Sequence, residues 1–258
     1  MWNPLTGAEE PPAPRGLRGE LRPYQSRGLG WLDALGSLQL GACLADDMGL
    51  GKTVQIIAMF LHMVEQKQGR HFLVVCPNSV LGNWRREIQR FGPGLRVIMH
   101  HGPTRAGDII ALRKQLIRGD EPTVVITSYA LARRDIQLLE QLRVDVLVLD
   151  EAQNVKNPEA GQSQAVRRLR ARRRIALTGT PMENRLLELW SIMDILNPGL
   201  LGSRHAFRRR FAVPVERYGD QEAADMLRRI TAPFVLRRMK TDPAIAPDLP
   251  DKVELVRF

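Results

Sequence analysis

Cysteine is nearly missing from this 258-residue chain, which holds only Cys43 and Cys76. Both lie inside apolar runs with the pattern of buried strands, and neither has a partner at metal-ligand spacing. That argues against a disulfide scaffold or a cysteine-based zinc site and leaves two core thiols. No run of about eighteen uncharged apolar residues occurs, and the amino terminus lacks a basic-then-apolar leader, so the sequence reads as soluble and cytoplasmic, with no membrane partner. Lysine is scarce too: Lys52, Lys67, Lys114, Lys156, Lys240 and Lys252 are the only six among 38 basic residues. The net charge of +10 is therefore carried by arginine. Arginine excess suits phosphate recognition, although a solvated arginine-rich surface accounts for any one of them taken singly. No internal repeat is visible.

What is present is an apolar fraction of 44%, enough for a substantial core. Residues 1–19 are rich in Pro, Gly and Glu without apolar periodicity and predict a flexible lead-in. From about Leu21, strand-like runs alternate with helical segments: Ala42 to Ala45, Phe72 to Cys76, Val97 to Met99, Val124 to Thr127, Val146 to Leu149 and Ile175 to Thr178. That rhythm predicts an α/β fold with a mostly parallel sheet and helices on both faces over residues 20–196. Val54, Ile57, Phe60, Leu61 and Val64 recur at helical steps, as do Leu81, Trp84, Ile88 and Phe91. After Asn197 the strand signals stop, and residues 197–240 read as a basic helical appendage. Pro243, Pro247 and Pro250 mark 241–258 as a connector leading outward.

Three elements carry chemistry. Gly49-Leu50-Gly51-Lys52-Thr53 stands between a strand and a helix. A glycine-containing turn there lets backbone N–H groups converge on phosphates, Lys52 reaches the outer phosphates and Thr53 can hold magnesium. Asp46 occupies the place where the general eight-residue pattern has its first glycine. Asp150-Glu151 ends the run Val146 to Leu149 about a hundred residues later, where a parallel strand delivers its side chains to the ligand crevice. Seen alone such a pair is a helix cap; with the lysine loop, Asp150 suits the magnesium shell and Glu151 the attacking water. Leu177-Thr178-Gly179-Thr180-Pro181 follows a third strand. Its hydroxyls can bond the acidic pair or a water and so report the nucleotide state, while a plain turn with Thr180 as helix cap is the local alternative.

Together these elements resemble superfamily-two helicases, and more narrowly the Swi/Snf family of double-strand DNA translocases. The residues that carry the resemblance are Leu21-Arg22-Pro23-Tyr24-Gln25 with Trp31, Asp46 to Thr53, Val75-Cys76-Pro77 with Trp84, and Thr127-Ser128-Tyr129. Asp150-Glu151-Ala152-Gln153, Leu177 to Pro181 with Glu183-Asn184, Phe234 to Arg238, and Leu249-Pro250-Asp251-Lys252 complete them. The resemblance implies a RecA-like P-loop lobe that uses ATP and Mg2+. It implies nucleotide contacts from Arg22, Gln25, Asp47, Met48, Gly49, Leu50, Gly51, Lys52 and Thr53, with Gln25 on the adenine edge. It also implies coupling through Gln153, Thr178, Gly179 and Thr180. Gln153 replaces the histidine common in the family; glutamine can still hydrogen-bond across to the Thr178 loop. The implied DNA-facing loops are Pro77-Asn78-Ser79, Gly102 to Arg105 and Thr127-Ser128-Tyr129, where small hydroxyl residues and free N–H groups grip phosphate without reading bases. Taken singly, Ser79 and Ser128 are equally helix caps.

The partners implied are double-stranded DNA, a DNA-bound protein target, and a second RecA-like lobe that supplies an arginine to the transferring phosphoryl. The sequence stops at Phe258, so this lobe by itself is expected to bind ATP weakly and to hydrolyse it barely. Arg167, Arg168, Arg170, Arg172, Arg173 and Arg174 form the densest charge run, read as a helix leading into the Ile175 strand. Phosphate contact and a solvated face both remain open for it, with its place upstream of the strand favouring the latter. Arg204, Arg208, Arg209 and Arg210 are the better candidates for a DNA or partner surface. His100 and His101 read as structural. Two other functions stand against the motor: a nucleic-acid or regulator binding module with a vestigial nucleotide site, and an unrelated P-loop kinase, which would leave Gln25 and the Thr178 loop unexplained.

Overall fold

The computed structural model describes residues 10–103, 105–117, 120–179, 186–242 and 245. Its strands are β1 (Ala42–Leu44), β2 (His71–Cys76), β3 (Arg96–Met99), β4 (Thr123–Ser128), β5 (Arg143–Leu149), β6 (Arg170–Leu177) and β7 (Val235–Leu236). Its helices are α1 (Pro23–Ser37), α2 (Lys52–Glu65), α3 (Leu81–Phe91), α4 (Ile109–Ile117), α5 (Tyr129–Arg134), α6 (Ile136–Leu139) and α7 (Gly161–Arg168). They continue with α8 (Leu186–Leu196), α9 (Arg204–Phe207), α10 (Val213–Tyr218) and α11 (Gln221–Thr231).

Side-chain alternation along each strand decides the layering. Phe72, Val74 and Cys76 of β2, with Val146 and Val148 of β5, pack into one core with residues of α1, α2 and α3. Leu73 and Val75, with Leu147 and Leu149, point the other way into a core with α5, α6 and α7. Both faces of β2, β4 and β5 are thus covered, which is why those strands read as nearly unbroken apolar runs. Helix α2 is buried over Gln55 to Met63 and not on one stripe alone, because α1 and α3 close over the side that the sheet leaves open. Phe60 stacks on Phe72 with ring centroids 4.2 Å apart, fixing α2 against the sheet.

All strand pairs are parallel and the order is β3-β4-β2-β5-β6-β1-β7. The register aligns the carboxyl ends: Leu44 stands beside Leu177, Leu149 beside Ala176, and Val75 beside both Leu149 and Thr127. Every loop that follows a strand therefore opens on the same rim.

Three expectations need correction. The region after Asn197 is not wholly helical, since β7 pairs with β1 through Cys43 to Val235 and Leu44 to Leu236. A two-residue strand is too short to show any period. The arginine run is not a helix leading into a strand: α7 ends at Arg168, and Arg170 to Arg174 form the amino half of β6. These residues lie toward the rim opposite the loops; Arg170 is exposed, and the other arginines bond within the chain. Arg168 bonds Glu140, Arg172 and Arg173 reach Gln68, and Arg174 donates to the carbonyls of Leu169 (2.7 Å) and Ile195 (3.1 Å). Part of the stretch assigned to the lead-in is docked: the Arg18 N–H bonds the Phe91 carbonyl and Leu17 packs on the first core.

In the appendage, Phe207, Phe211 and Leu227 share a core with Cys43, Ala45, Ala176 and Trp190. This segment is thereby seated on the β6 and β1 edge of the sheet. Cys43 and Cys76 are buried and free. Among the described residues no helix is long and apolar enough to cross a membrane.

Two imidazoles, His100 buried and His71 half-buried, make stability depend on pH. Burial lowers the pKa of His71 and of His100 below 6.5, for His100 against the opposing pull of Asp135. Among the described residues neither Nδ1 has a partner. Each binds a proton less readily folded than unfolded, so unfolding takes up protons below pH 6.5 and acid favours it. The unfolding free energy is expected to fall between about pH 7.5 and about pH 5.5, by up to about 1.4 kcal/mol per histidine per pH unit and the urea midpoint with it, and the double variant His71→Gln, His100→Gln should flatten the slope. A midpoint in the native chain that holds or rises on acidification would contradict this.

Candidate nucleotide site and the rim beside it

The phosphate loop follows β1. Gly49 and Gly51 take φ of +85° and +75°, a left-handed backbone that glycine adopts at little cost, and Gly51 starts α2. A Cβ on Gly51 would stand 2.4 Å from Gln25 Nε2, so glycine there is what lets α1 approach. Gln25 is buried; its side-chain oxygen accepts from the Arg22 N–H at 2.9 Å, and Nε2 donates to the Leu50 carbonyl at 3.1 Å. Lys52 Nζ donates back to the loop, to the carbonyls of Asp46 (2.6 Å) and Asp47 (3.3 Å). Burial lowers the Lys52 pKa, opposed by Asp46, Glu151, Asp150 and Asp47. Thr53 lies in the first turn of α2, and Met48 projects into solvent.

β6 lies between β1 and β5, so the Thr178 loop stands between the lysine loop and the acidic pair. Asp150 is held from three sides. Trp84 Nε1 donates to Oδ2 and the Glu151 N–H to Oδ1, at 2.8 and 2.9 Å, while the Tyr129 hydroxyl donates to its carbonyl at 2.8 Å. Burial raises the Asp150 pKa; the Trp84 hydrogen bond opposes this and the Glu151 charge adds to it. Glu151 has φ +49°. Gln153 Nε2 donates to Glu151 Oε2 (2.7 Å), and the Thr178 hydroxyl donates to Gln153 Oε1 (3.2 Å). A hydrogen-bonded chain thus runs from Glu151 through Gln153 to Thr178. Gly179 completes the contact: a Cβ there would stand 2.9 Å from Met48 Cγ. Thr180 lies outside the described residues. The donors fit a small hard cation shared with phosphate: Thr53 and Asp150 offer oxygen, and Mg2+ is usually held by one or two carboxylates with phosphate and water making up the rest.

Sequence reasoning left one part of this site without a role. Asp46 is fully buried, and its carboxylate receives the Arg238 guanidinium at both oxygens, with Nε to Oδ1 at 2.9 Å. The Arg238 N–H adds a bond to Oδ1 (3.1 Å), and Gln55 Nε2 one to Oδ2 (3.3 Å). Arg238 also donates to Gln55 Oε1 (2.7 Å) and to the Tyr24 carbonyl. The available signal was Asp46 itself, a carboxylate where the general pattern has glycine, since a buried charge next to a phosphate site needs a counter-charge. Trp84 was matched to the family with no role attached; its indole N–H on Asp150 supplies one.

The implied DNA-facing loops follow β2, β3 and β4, which are neighbours at the other end of the same rim. Asn78, Ser79 and Pro103 are exposed, and Gly102 has φ +77° with open space around a built Cβ. The β4 loop is different. Thr127, Ser128 and Tyr129 are buried: Thr127 donates to the His100 carbonyl, Ser128 caps α5 by accepting from the Leu131 N–H, and Tyr129 is tied to Asp150. Arg105 is held by Asp135 (Nε to Oδ2, 2.7 Å), which His100 also bonds. Arg208, Arg209 and Arg210 are exposed, and Arg204 pairs with Glu159.

One family model, described as the SNF2-related domain, matches residues 24–258. The chain belongs to that family. It is 46% identical to YwqA of Bacillus subtilis (strain 168) over 98% of this chain and 28% of the relative. It is 34% identical to the chromatin-remodeling ATPase INO80 of Homo sapiens over 100% of this chain and 17% of the relative. The structure of the Sulfolobus solfataricus SWI2/SNF2 ATPase core in complex with dsDNA matches with a TM-score of 0.82 and 43% identity, over 92% of this chain and 48% of that one. The fold is thus that of the SWI2/SNF2 ATPase core, and the chain spans about half of that core and a smaller part of the longer relatives.

Proposed function

We propose that this lobe binds Mg·ATP between the lysine loop and the Asp150-Glu151 pair and serves a DNA-dependent ATPase that moves along double-stranded DNA and remodels protein–DNA complexes. The observation that carries the reading is the adjacency of β5, β6 and β1 with their carboxyl ends in register, which puts Lys52, Thr178 and the acidic pair on one rim. Bound Mg2+ supplies charge neutralisation of the phosphates. Lys52 would leave its carbonyl partners for phosphate, Thr53 and Asp150 would hold the metal, and Trp84 keeps the Asp150 carboxylate oriented for it. Glu151 would orient the attacking water, and its bond to Gln153 passes the state of the site to Thr178. DNA phosphates would lie along Asn78, Ser79 and Gly102; that a similar ATPase core was solved in complex with dsDNA supports duplex DNA as the partner. A protein bound to that DNA would be the target.

A titration of the purified chain with Mg·ATP tests the reading. Removing the ammonium from an otherwise intact phosphate site should cost about 2–5 kcal/mol, so Lys52→Ala should weaken binding roughly thirtyfold or more. Duplex DNA should bind with strong salt dependence. Equal affinity in the native chain and in Lys52→Ala would mark the nucleotide site as vestigial and leave a binding module.

A further inference from the structure

Residues 235–242 and Ile245, which the motifs of nucleotide chemistry do not include, are fastened to the phosphate loop at successive points. The Ala45 N–H bonds the Leu236 carbonyl (2.7 Å), the Asp47 N–H bonds the Arg238 carbonyl (3.0 Å), and the Lys240 N–H bonds Asp47 Oδ2 (3.1 Å). Arg238 is locked on Asp46 as described, and Ile245, buried, shares a small core with Tyr24 and Leu50. These bonds fix where the Lys240 side chain emerges. Its ammonium lies over the glycine turn: a Cβ built on Gly49 would stand 3.2 Å from Nζ and 3.5 Å from Cε. Lys240 is exposed, and among the described residues no carboxylate pairs with it.

The charge around the loop makes a second cation useful. Asp46, Asp47, Asp150 and Glu151 all act on Lys52. Arg238 cancels Asp46, but three carboxylates still face a polyphosphate, and Lys52 with one Mg2+ must answer for both. Charge of one sign in a partly buried cleft is balanced best by a cation held in place before the ligand arrives.

We propose that Lys240 is a second polyphosphate-binding lysine of this site, held over Gly49 by the Arg238–Asp46 clamp. The proposal rests on the reading of the loop as a nucleotide site. An ammonium on an outer phosphate oxygen makes a charge-assisted hydrogen bond, stronger than a neutral one and lost with the charge. The segment that carries it then senses the nucleotide directly, since filling the loop pulls on Lys240 and emptying it lets go.

The test uses the whole chain and three probes, Mg·ATP, Mg·ADP and AMP, in calorimetric titrations of the native protein, Lys240→Gln, Lys240→Arg and Lys52→Ala. The expected result is a loss of about three- to tenfold in ATP and ADP affinity for Lys240→Gln, with AMP affinity unchanged and most of the loss restored in Lys240→Arg. An exposed side chain is removed, so the melting temperature of Lys240→Gln should match the native one. If Lys52→Ala loses ATP and Lys240→Gln binds it as well as the native chain, Lys240 is no ligand and the nucleotide site stands without it. If the native chain binds no ATP at all, the nucleotide-site reading falls and takes this proposal with it.

Discussion

Asp46→Ala should destabilise the protein by about 3–5 kcal/mol, because it strands a buried guanidinium. Asp46 has no solvent exposure and Arg238 is 9% exposed, so neither charge can fall back on water once its partner has gone. Arg238 would keep its bonds to Gln55 and to the Tyr24 carbonyl, but those acceptors are neutral. For a domain of this size the loss corresponds to a drop in melting temperature of roughly 10 °C. Replacing both members at once by apolar residues, Asp46→Leu with Arg238→Met, should recover much of it, since the desolvation cost of the pair disappears with the pair. Thermal unfolding of Asp46→Leu, Arg238→Met and the double variant closes a cycle. Single variants that melt within a degree or two of the native chain would mean that the buried pair contributes little and that the loop is held by backbone bonds alone.

The 258 residues assayed by themselves should hydrolyse ATP at least about a thousandfold more slowly than the same residues joined to a second lobe that brings an arginine to the phosphoryl group. Charge developing on the transferring phosphoryl must be met by groups already in place. Lys52 can meet part of it, and Lys240 would meet another part. Arg238 cannot, because both of its sides are committed to Asp46 and Gln55, and Arg105 is committed to Asp135 at the far half of the rim. Binding and hydrolysis should therefore separate in this chain, with measurable nucleotide affinity and almost no turnover with or without duplex DNA. Steady-state phosphate release by the purified chain, compared with a two-lobe protein carrying the same residues, decides it. Brisk DNA-stimulated release from the 258 residues would overturn the assignment of that arginine to a second lobe.

The two experiments probe opposite aspects of one loop. Asp46 belongs to what holds the loop still, and the outcome is read as stability. Lys52 and its acidic neighbours belong to what the loop holds, and the outcome is read as affinity and rate. A variant that lowered both together would point to the clamp acting on the chemistry, which is the link that Lys240 is proposed to provide.

Local chemistry was legible from the residues alone. Gly49 to Thr53 stands out by itself as a candidate phosphate loop, whereas Asp150-Glu151 and Thr178-Gly179 gain a reading only beside it, since alone they pass for a helix cap and a turn. The central strands were legible for a similar reason: β2, β4 and β5 are covered on both faces over most of their length, which favours a nearly unbroken apolar run. The hydrogen bond from Thr178 to Gln153 could be anticipated, since both ends sit in recognisable motifs.

Other features depend on where the chain comes back, and no local pattern encodes that. Asp46 and Arg238 are 192 positions apart, and their meeting follows from β7 pairing with β1 as the last strand of the sheet. The arginine run looked helical because α7 flows into it; pairing with β5 made half of it a strand and used its charges inside the chain. Thr127 and Tyr129 lie in a motif matched to DNA contact, yet the packing of α5 against the sheet turned them inward. Sequence thus determined which residues could bind phosphate and which segments could be buried, because both properties belong to single side chains and their near neighbours. Tertiary structure alone decided which charges face each other, because electrostatic partners are set by distance through space and the chain leaves that distance open until the sheet has closed.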